Sequence, residues 1–133
     1  MTADTSPRFA RGATRTAALA LALASTGTLA DIVDIAWDPS GRFERSVSVA
    51  PGKFAEVCGK LPAGLMVAWN FEASIPLDFN VHYHVGKEVQ FPSKLTAVAT
   101  ARGTLTTKID QDYCWMWSNK SSASATLLVK LQR

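Results

Sequence analysis

From about residue 42 onward, apolar and polar residues take turns along the chain. In "RFERSVSV" (42–49), Phe43, Arg45, Val47 and Val49 alternate with Glu44, Ser46 and Ser48. In "LMVAWNFEA" (65–73), Leu65, Val67, Trp69 and Phe71 share one side, with Met66, Ala68, Asn70 and Glu72 on the other. "PLDFNVHYHVG" (76–86) repeats the pattern, with Leu77, Phe79, Val81, Tyr83 and Val85 set against Asp78, Asn80, His82 and His84. A period of two is the mark of a strand with one buried face. Further strands are expected in "KFAEVCGKL" (53–61), in a short "GKEVQFP" stopped by Pro92, and in "TLTTKI" after a turn at Arg102-Gly103. There Leu105, Thr107 and Ile109 should point inward. "DYCWMWSN" (112–119) is apolar on both sides and reads as a central strand, and "ATLLVKLQR" closes the set with Ala125, Leu127, Val129 and Leu131 inward. Turn signals at Asp38–Gly41, Pro51-Gly52, Leu61–Gly64 and Ser118–Ser122 separate these runs. No helical period appears beyond the first thirty residues. The expected fold is all-β, an antiparallel β-sandwich of seven or eight strands with jelly-roll character.

The first thirty residues follow another rule. Arg8, Arg11 and Arg15 precede "TAALALALA", and "STGTLA" supplies small residues before Asp31. Basic, apolar and small in that order predict a signal peptide over 1–30 and one domain over 31–133. The apolar run is too short to cross a bilayer of about 30 Å. No cysteine follows it, and the arginines are unpaired, so neither a lipid anchor nor the twin-arginine route is expected. The chain is therefore expected to be exported, to a periplasm or the exterior, with no transmembrane anchor in its mature part. Its net charge of +3 owes much to this segment. Without it eleven basic and ten acidic residues remain, a net charge of +1. No basic cluster survives to mark a nucleic-acid binder.

Two cysteines, Cys58 and Cys114, suit a disulfide in an exported domain, the alternative being two buried thiols. His82 and His84, two residues apart on a polar strand face, raise three readings. As imidazoles on one side they can hold copper or zinc. Asp78, Glu88, Met66 or Met116 would then complete the site. A Cys₂His₂ set of Cys58, Cys114, His82 and His84 also exists, but it excludes the disulfide. The third reading is an exposed polar stripe, part of a recognition surface with Asn80, Glu88 and Trp37. Trp37 lies before the first clear strand, as a lid or a partly exposed ring. Trp69, Trp115, Trp117, Phe71, Phe79 and Tyr83 read as core rather than as a glycan or lipid platform.

Catalysis finds little support. The sequence has no Gly-x-Ser-x-Gly elbow, no His-Glu-x-x-His and no phosphate-binding glycine loop. Cys114 as a nucleophile with His82 or His84 as base is the one arrangement available, and a disulfide would remove its thiolate.

Taken in order, Cys58 before "LPAG", the aromatic strand "VAWNFEA", "LDFNVHYH", the run "YCWMWSN" and a closing apolar strand resemble the GOLD (Golgi dynamics) domain family, over residues 49–133. The resemblance implies a β-sandwich like the luminal heads of early-secretory-pathway cargo receptors. It also implies a bond from Cys58 to Cys114, the latter in an aromatic-cysteine-aromatic strand followed by Ser118-Asn119. The chain departs from the family's pattern at "DQD" (110–112), where a glycine is usual. Function is then expected to be non-catalytic: a binding module for a protein, lipid or glycan, without a cofactor. A periplasmic copper or zinc carrier using His82 and His84 is the second reading, and an enzyme of unknown reaction the third.

Overall fold

The computed structural model describes Thr2 and residues 31–133. The expected signal segment otherwise lies outside the described residues. Seven strands form the domain: β1 (Asp31–Asp34), β2 (Arg42–Val49), β3 (Phe54–Leu61), β4 (Met66–Val85), β5 (Glu88–Thr106), β6 (Gln111–Ser118) and β7 (Ala125–Gln132). They hydrogen-bond in the order β1-β3-β6-β4-β7-β2, with β5 on β4, and the sheet curls into a sandwich that is nearly a barrel. Every pairing is antiparallel except β1 with β3.

β4 holds the two halves together. Its Ala68–Ala73 pair with β7 and its Asp78–Tyr83 pair with β6, while β5 runs along its other side. The sequence pattern suggests two strands here. The structure makes one strand of 20 residues, with the register slipping between Glu72 and Leu77. Pro76 falls in that irregular stretch, the part of a strand that tolerates a missing N–H. β5 is likewise one strand of 19 residues where two were expected. Pro92 does not end it, because Phe91 and Pro92 fall in a bulge opposite His82. Gly103 is not a turn either. It faces Trp69 across the strand pair, and a Cβ there would lie 2.5 Å from the indole, so the missing side chain makes room for the ring.

The inner rows build the core as the alternation predicts. Tyr113, Trp115 and Trp117 on β6 are fully buried, and Val57, Val67, Phe71, Phe79, Val81 and Leu127 pack around them. Trp69, Phe71, Phe79 and Trp117 form a connected aromatic group with ring centroids 4.8–6.4 Å apart. Such pairs add about 0.5–1.5 kcal/mol each beyond area burial. Among the described residues the indole N–H groups of Trp115 and Trp117 have no acceptor, a cost of about 1–3 kcal/mol each that burial of the rings offsets. Ile109 does not follow Leu105 and Thr107 inward and is 38% exposed, because β5 has ended at Thr106.

Three polar side chains fasten the turns. Buried Asn119 donates to the carbonyls of Val49 and Ala123 and accepts from the backbone and hydroxyl of Ser121. Buried Thr107 donates to the Pro62 carbonyl and accepts from the Leu65 amide, closing the β3–β4 turn. The Tyr113 hydroxyl accepts from the Lys108 and Ile109 amides and donates to the Ile109 carbonyl. The disulfide joins Cys58 and Cys114, which face each other directly across β3 and β6 with Cα atoms 4.2 Å apart. With the two cysteines 56 positions apart in sequence, loop-closure entropy assigns the bond roughly 4 kcal/mol.

Candidate functional site on the outer face of the sheet

Register alone places the polar cluster. Cys58, Cys114 and His82 occupy one rung across β3, β6 and β4, and Glu56, Met116 and Asn80 occupy the next. All six point outward, because their neighbours Val57, Trp115 and Val81 point in. His82 accordingly sits beside Cys114, on the side of the sheet away from the core.

It is not, however, part of an exposed stripe. His82 is only 7% exposed, and this corrects the expectation of a solvated histidine pair. The reason is tertiary: the Phe91 ring from the β5 bulge lies 6.1 Å from the imidazole, and the His84 ring lies edge-on at 5.5 Å. Lys94 Nζ in turn stands 5.1 Å above Phe91. His84 stays exposed, as the pattern implies. His82 Nδ1 is 2.8 Å from Asn80 Oδ1, and Nε2 is 3.9 Å from Glu56 Oε1. Since Oδ1 can only accept, Nδ1 carries a proton, and in the neutral imidazole Nε2 then turns its lone pair toward the carboxylate. Burial pulls the His82 pKa below its ordinary value. Glu56 opposes that shift and His84 adds to it.

The other expected ligands are elsewhere. The Asp78 carboxylate accepts from the Ala97 amide and pairs with Lys120, which hold its pKa down, Lys120 foremost. Through it the left-handed turn at Ala97 (φ 53°) is fixed. Glu88 faces Val85 at the exposed β4–β5 turn. Met66 opens β4 and is 63% exposed, opposite Thr106. Met116 alone adjoins the cluster, between Glu56 and Asn80. Cys114 is held in the disulfide, so it offers no thiolate and the Cys114–histidine nucleophile loses its first member. The Cys₂His₂ set is excluded in this oxidised state for the same reason. Trp37 packs half-buried against the core, with the Arg133 guanidinium 4.9 Å from its ring, at a different place from Asn80 and Glu88. The three do not form one surface.

Sequence reasoning passed over Glu56 and Phe91. Glu56 was legible, since it is two residues before Cys58 and so shares its face. Phe91 was not, because a bulge decides which way it points.

A second feature lies beside this cluster. β5 pairs with β4 alone among the described residues, and of its 19 residues only Leu105 is buried. Val89, Phe91 and Leu95 are 39%, 49% and 36% exposed. The strand bends far enough that Gln90–Pro92 and Thr104–Thr106 line one shallow groove of about 380 Å³, with Tyr83 and Lys108 at its sides.

No family model matches the chain, and comparison with curated proteins finds no match. Solved structures do resemble it. A periplasmic inhibitor of g-type lysozyme, PliG, from Aeromonas hydrophila superposes with a TM-score of 0.55 at 11% identity, over 77% of this chain and 95% of its own. PliG from Salmonella Typhimurium gives 0.51 at 10% identity, over 78% and 98%. The pre-peptidase C-terminal domain of a Bacillus anthracis collagenase gives 0.57 at 7% identity, over 78% and 95%. Identities this low show a shared fold and nothing finer. Among the described residues no helix is long and apolar enough to cross a membrane.

Proposed function

We propose that this chain is an exported, non-catalytic binding module that takes a protein partner along the β5 edge. The observation that carries the reading is that edge: 19 residues paired on one side only, with Val89, Phe91 and Leu95 exposed along it. An unpaired edge offers backbone donors and acceptors to an extended segment, and neighbouring apolar side chains supply selectivity. Pro92 and the register slips of the β4–β5 pair break the edge into short runs. Short runs disfavour pairing with a second copy of the same long strand and suit a loop or short strand from another protein. Lys87, Lys94, Arg102 and Lys108 against Glu88 make the rim mainly basic, which favours a partner segment carrying acidic residues. Export is supported by the basic-apolar-small N-terminus, by the disulfide and by the periplasmic PliG structures that share the fold. Membership in the GOLD domain family is part of this proposal, and the Cys58–Cys114 pairing and the "YCWMWSN" run are what support it.

A photo-crosslinking residue placed at Val89, with one at Arg45 of β2 as the control, tests this in exporting cells. A single dominant protein adduct from position 89 and none from position 45, reproduced with the purified partner, is expected. Equal labelling from both sites, or no protein adduct, removes the β5 reading. A narrower version, in which the partner is a g-type lysozyme as for PliG, predicts slower cell-wall clearing by that enzyme when the purified chain is added. Unchanged clearing discards it.

A further inference from the structure

The disulfide rung and the rung beside it carry two polar groups, His82 Nε2 and the Glu56 carboxylate, that no hydrogen-bond donor reaches among the described residues. Glu56 is half-buried, and among the described residues no N–H or O–H reaches its carboxylate at hydrogen-bond distance. Its nearest polar neighbours are His82 Nε2 at 3.9 Å and the Cys58 sulfur, 3.7 Å from Oε2. A disulfide sulfur has no proton to give, and the Asn80 contact leaves a lone pair on His82 Nε2. Two acceptors thus face each other across a gap sized for a cation.

We propose that reduction of the Cys58–Cys114 disulfide turns this rung into a site for one zinc ion, bound by the Cys58 and Cys114 thiolates, the Glu56 carboxylate and His82 Nε2. The donor set fits. Ligating atoms of Glu56, Cys58 and Cys114 lie within 4.8 Å of one another, and His82 adjoins them through Glu56. Zinc holds thiolates at about 2.3 Å and nitrogen or oxygen at about 2.0–2.2 Å, so neighbouring ligand atoms of its tetrahedron stand roughly 3.3–3.8 Å apart. The 3.7 and 3.9 Å separations are already close to that edge. Once the bond is broken the sulfurs separate, and the Cys114 sulfur is free to move toward His82, its partner on β4. Asn80 holds the imidazole by Nδ1 and presents Nε2, the outer support usual for a zinc-bound histidine. Three adjacent strands supply all four ligands, so little of the chain needs to move.

The chemistry balances with a dithiol reductant. Two electrons pass to the protein as its S–S bond breaks and the reductant's forms, and the reductant's two protons move to Cys58 and Cys114. Zinc then displaces both protons to solvent. Disulfide and zinc exclude each other, so redox state decides which of the two ties β3 to β6.

The test titrates zinc into the purified chain, oxidised and dithiol-reduced, against a chromophoric chelator, with cobalt(II) as a spectroscopic probe. One equivalent bound only after reduction is expected, with a thiolate-to-cobalt charge-transfer band. Glu56→Gln and His82→Ala should each weaken zinc tenfold or more, and His84→Ala should leave it unchanged. If reduction unfolds the domain, one equivalent of zinc should restore the β-sheet circular dichroism, and should fail to do so in His82→Ala. Equal uptake by oxidised and reduced chains overturns the proposal. So does loss of zinc in His84→Ala but not in His82→Ala, or zinc that neither binds nor refolds the reduced chain.

Discussion

β6 and β5 are both antiparallel strands against β4, and they have opposite fates. β6 is 8 residues long and paired on both sides, and it carries the three largest fully buried side chains and one end of the disulfide. β5 is 19 residues long and paired on one side, and it buries a single residue. Stability is concentrated where strands pair with both edges and the inner face is fully buried. Among the strands longer than four residues, β5 contributes least to the core, and its unpaired edge is the one proposed to bind. A small sandwich can separate the two tasks because a strand edge needs its own backbone geometry but not its own core.

The sharpest way to break the comparison is to empty the centre of β6. Trp115→Ala should destabilise the fold by about 3–5 kcal/mol, read as a lower denaturant midpoint at unchanged slope. A loss below about 1 kcal/mol would show that β6 is not the anchor. Replacing both cysteines, Cys58→Ser with Cys114→Ser, should remove about 2–4 kcal/mol. A pair of variants with undiminished stability would mean that the outer rung adds nothing to the inner one. Asn119→Ala strips acceptors and donors from the β6–β7 turn and should lose about 1–3 kcal/mol, with faster amide exchange near Ala123 as its signature. On β5, Val89→Ser should change stability by no more than about 0.5 kcal/mol while weakening at least tenfold the binding of the purified partner that the position-89 crosslink identifies. A large stability loss there would erase the division of labour.

The smallest effect is in pH. Folding lowers the His82 pKa from 6.5, so between the folded value and 6.5 the unfolded chain binds more protons. Stability therefore falls as pH drops below 6.5 and levels off once folded His82 is also protonated. His82→Gln should flatten that slope. If the slope persisted unaltered, another group would be responsible. Asp78, whose folded pKa is depressed, adds a separate loss only below its ordinary 3.8.

The inner rows were open to sequence reading. Strict alternation placed Phe71, Phe79, Trp115 and Leu127 correctly, because a period of two admits only one way to bury a row of large side chains. Continuity was less visible. Pro92 and Gly103 look like chain breaks, yet a bulge absorbs the first and the Trp69 ring fills the space of the second. On the outer face Cys58, Cys114, Asn80 and His82 were identifiable as polar or half-buried positions, but their grouping was not. Met66, Asp78 and Glu88 looked equally eligible as companions and turned out to lie apart.

What the sequence determined by itself is the fold class and the facing of the core-forming rows on β2, β3, β4, β6 and β7, since these follow from local alternation and the free energy of burying apolar rows. What only the tertiary structure decided is register between distant strands. Pairing β6 with both β3 and β4 put Glu56, Cys58, Cys114 and His82 on adjoining rungs, and a bulge in β5 laid Phe91 over the imidazole. Register depends on how whole strands fit around the core, so no local pattern carries it.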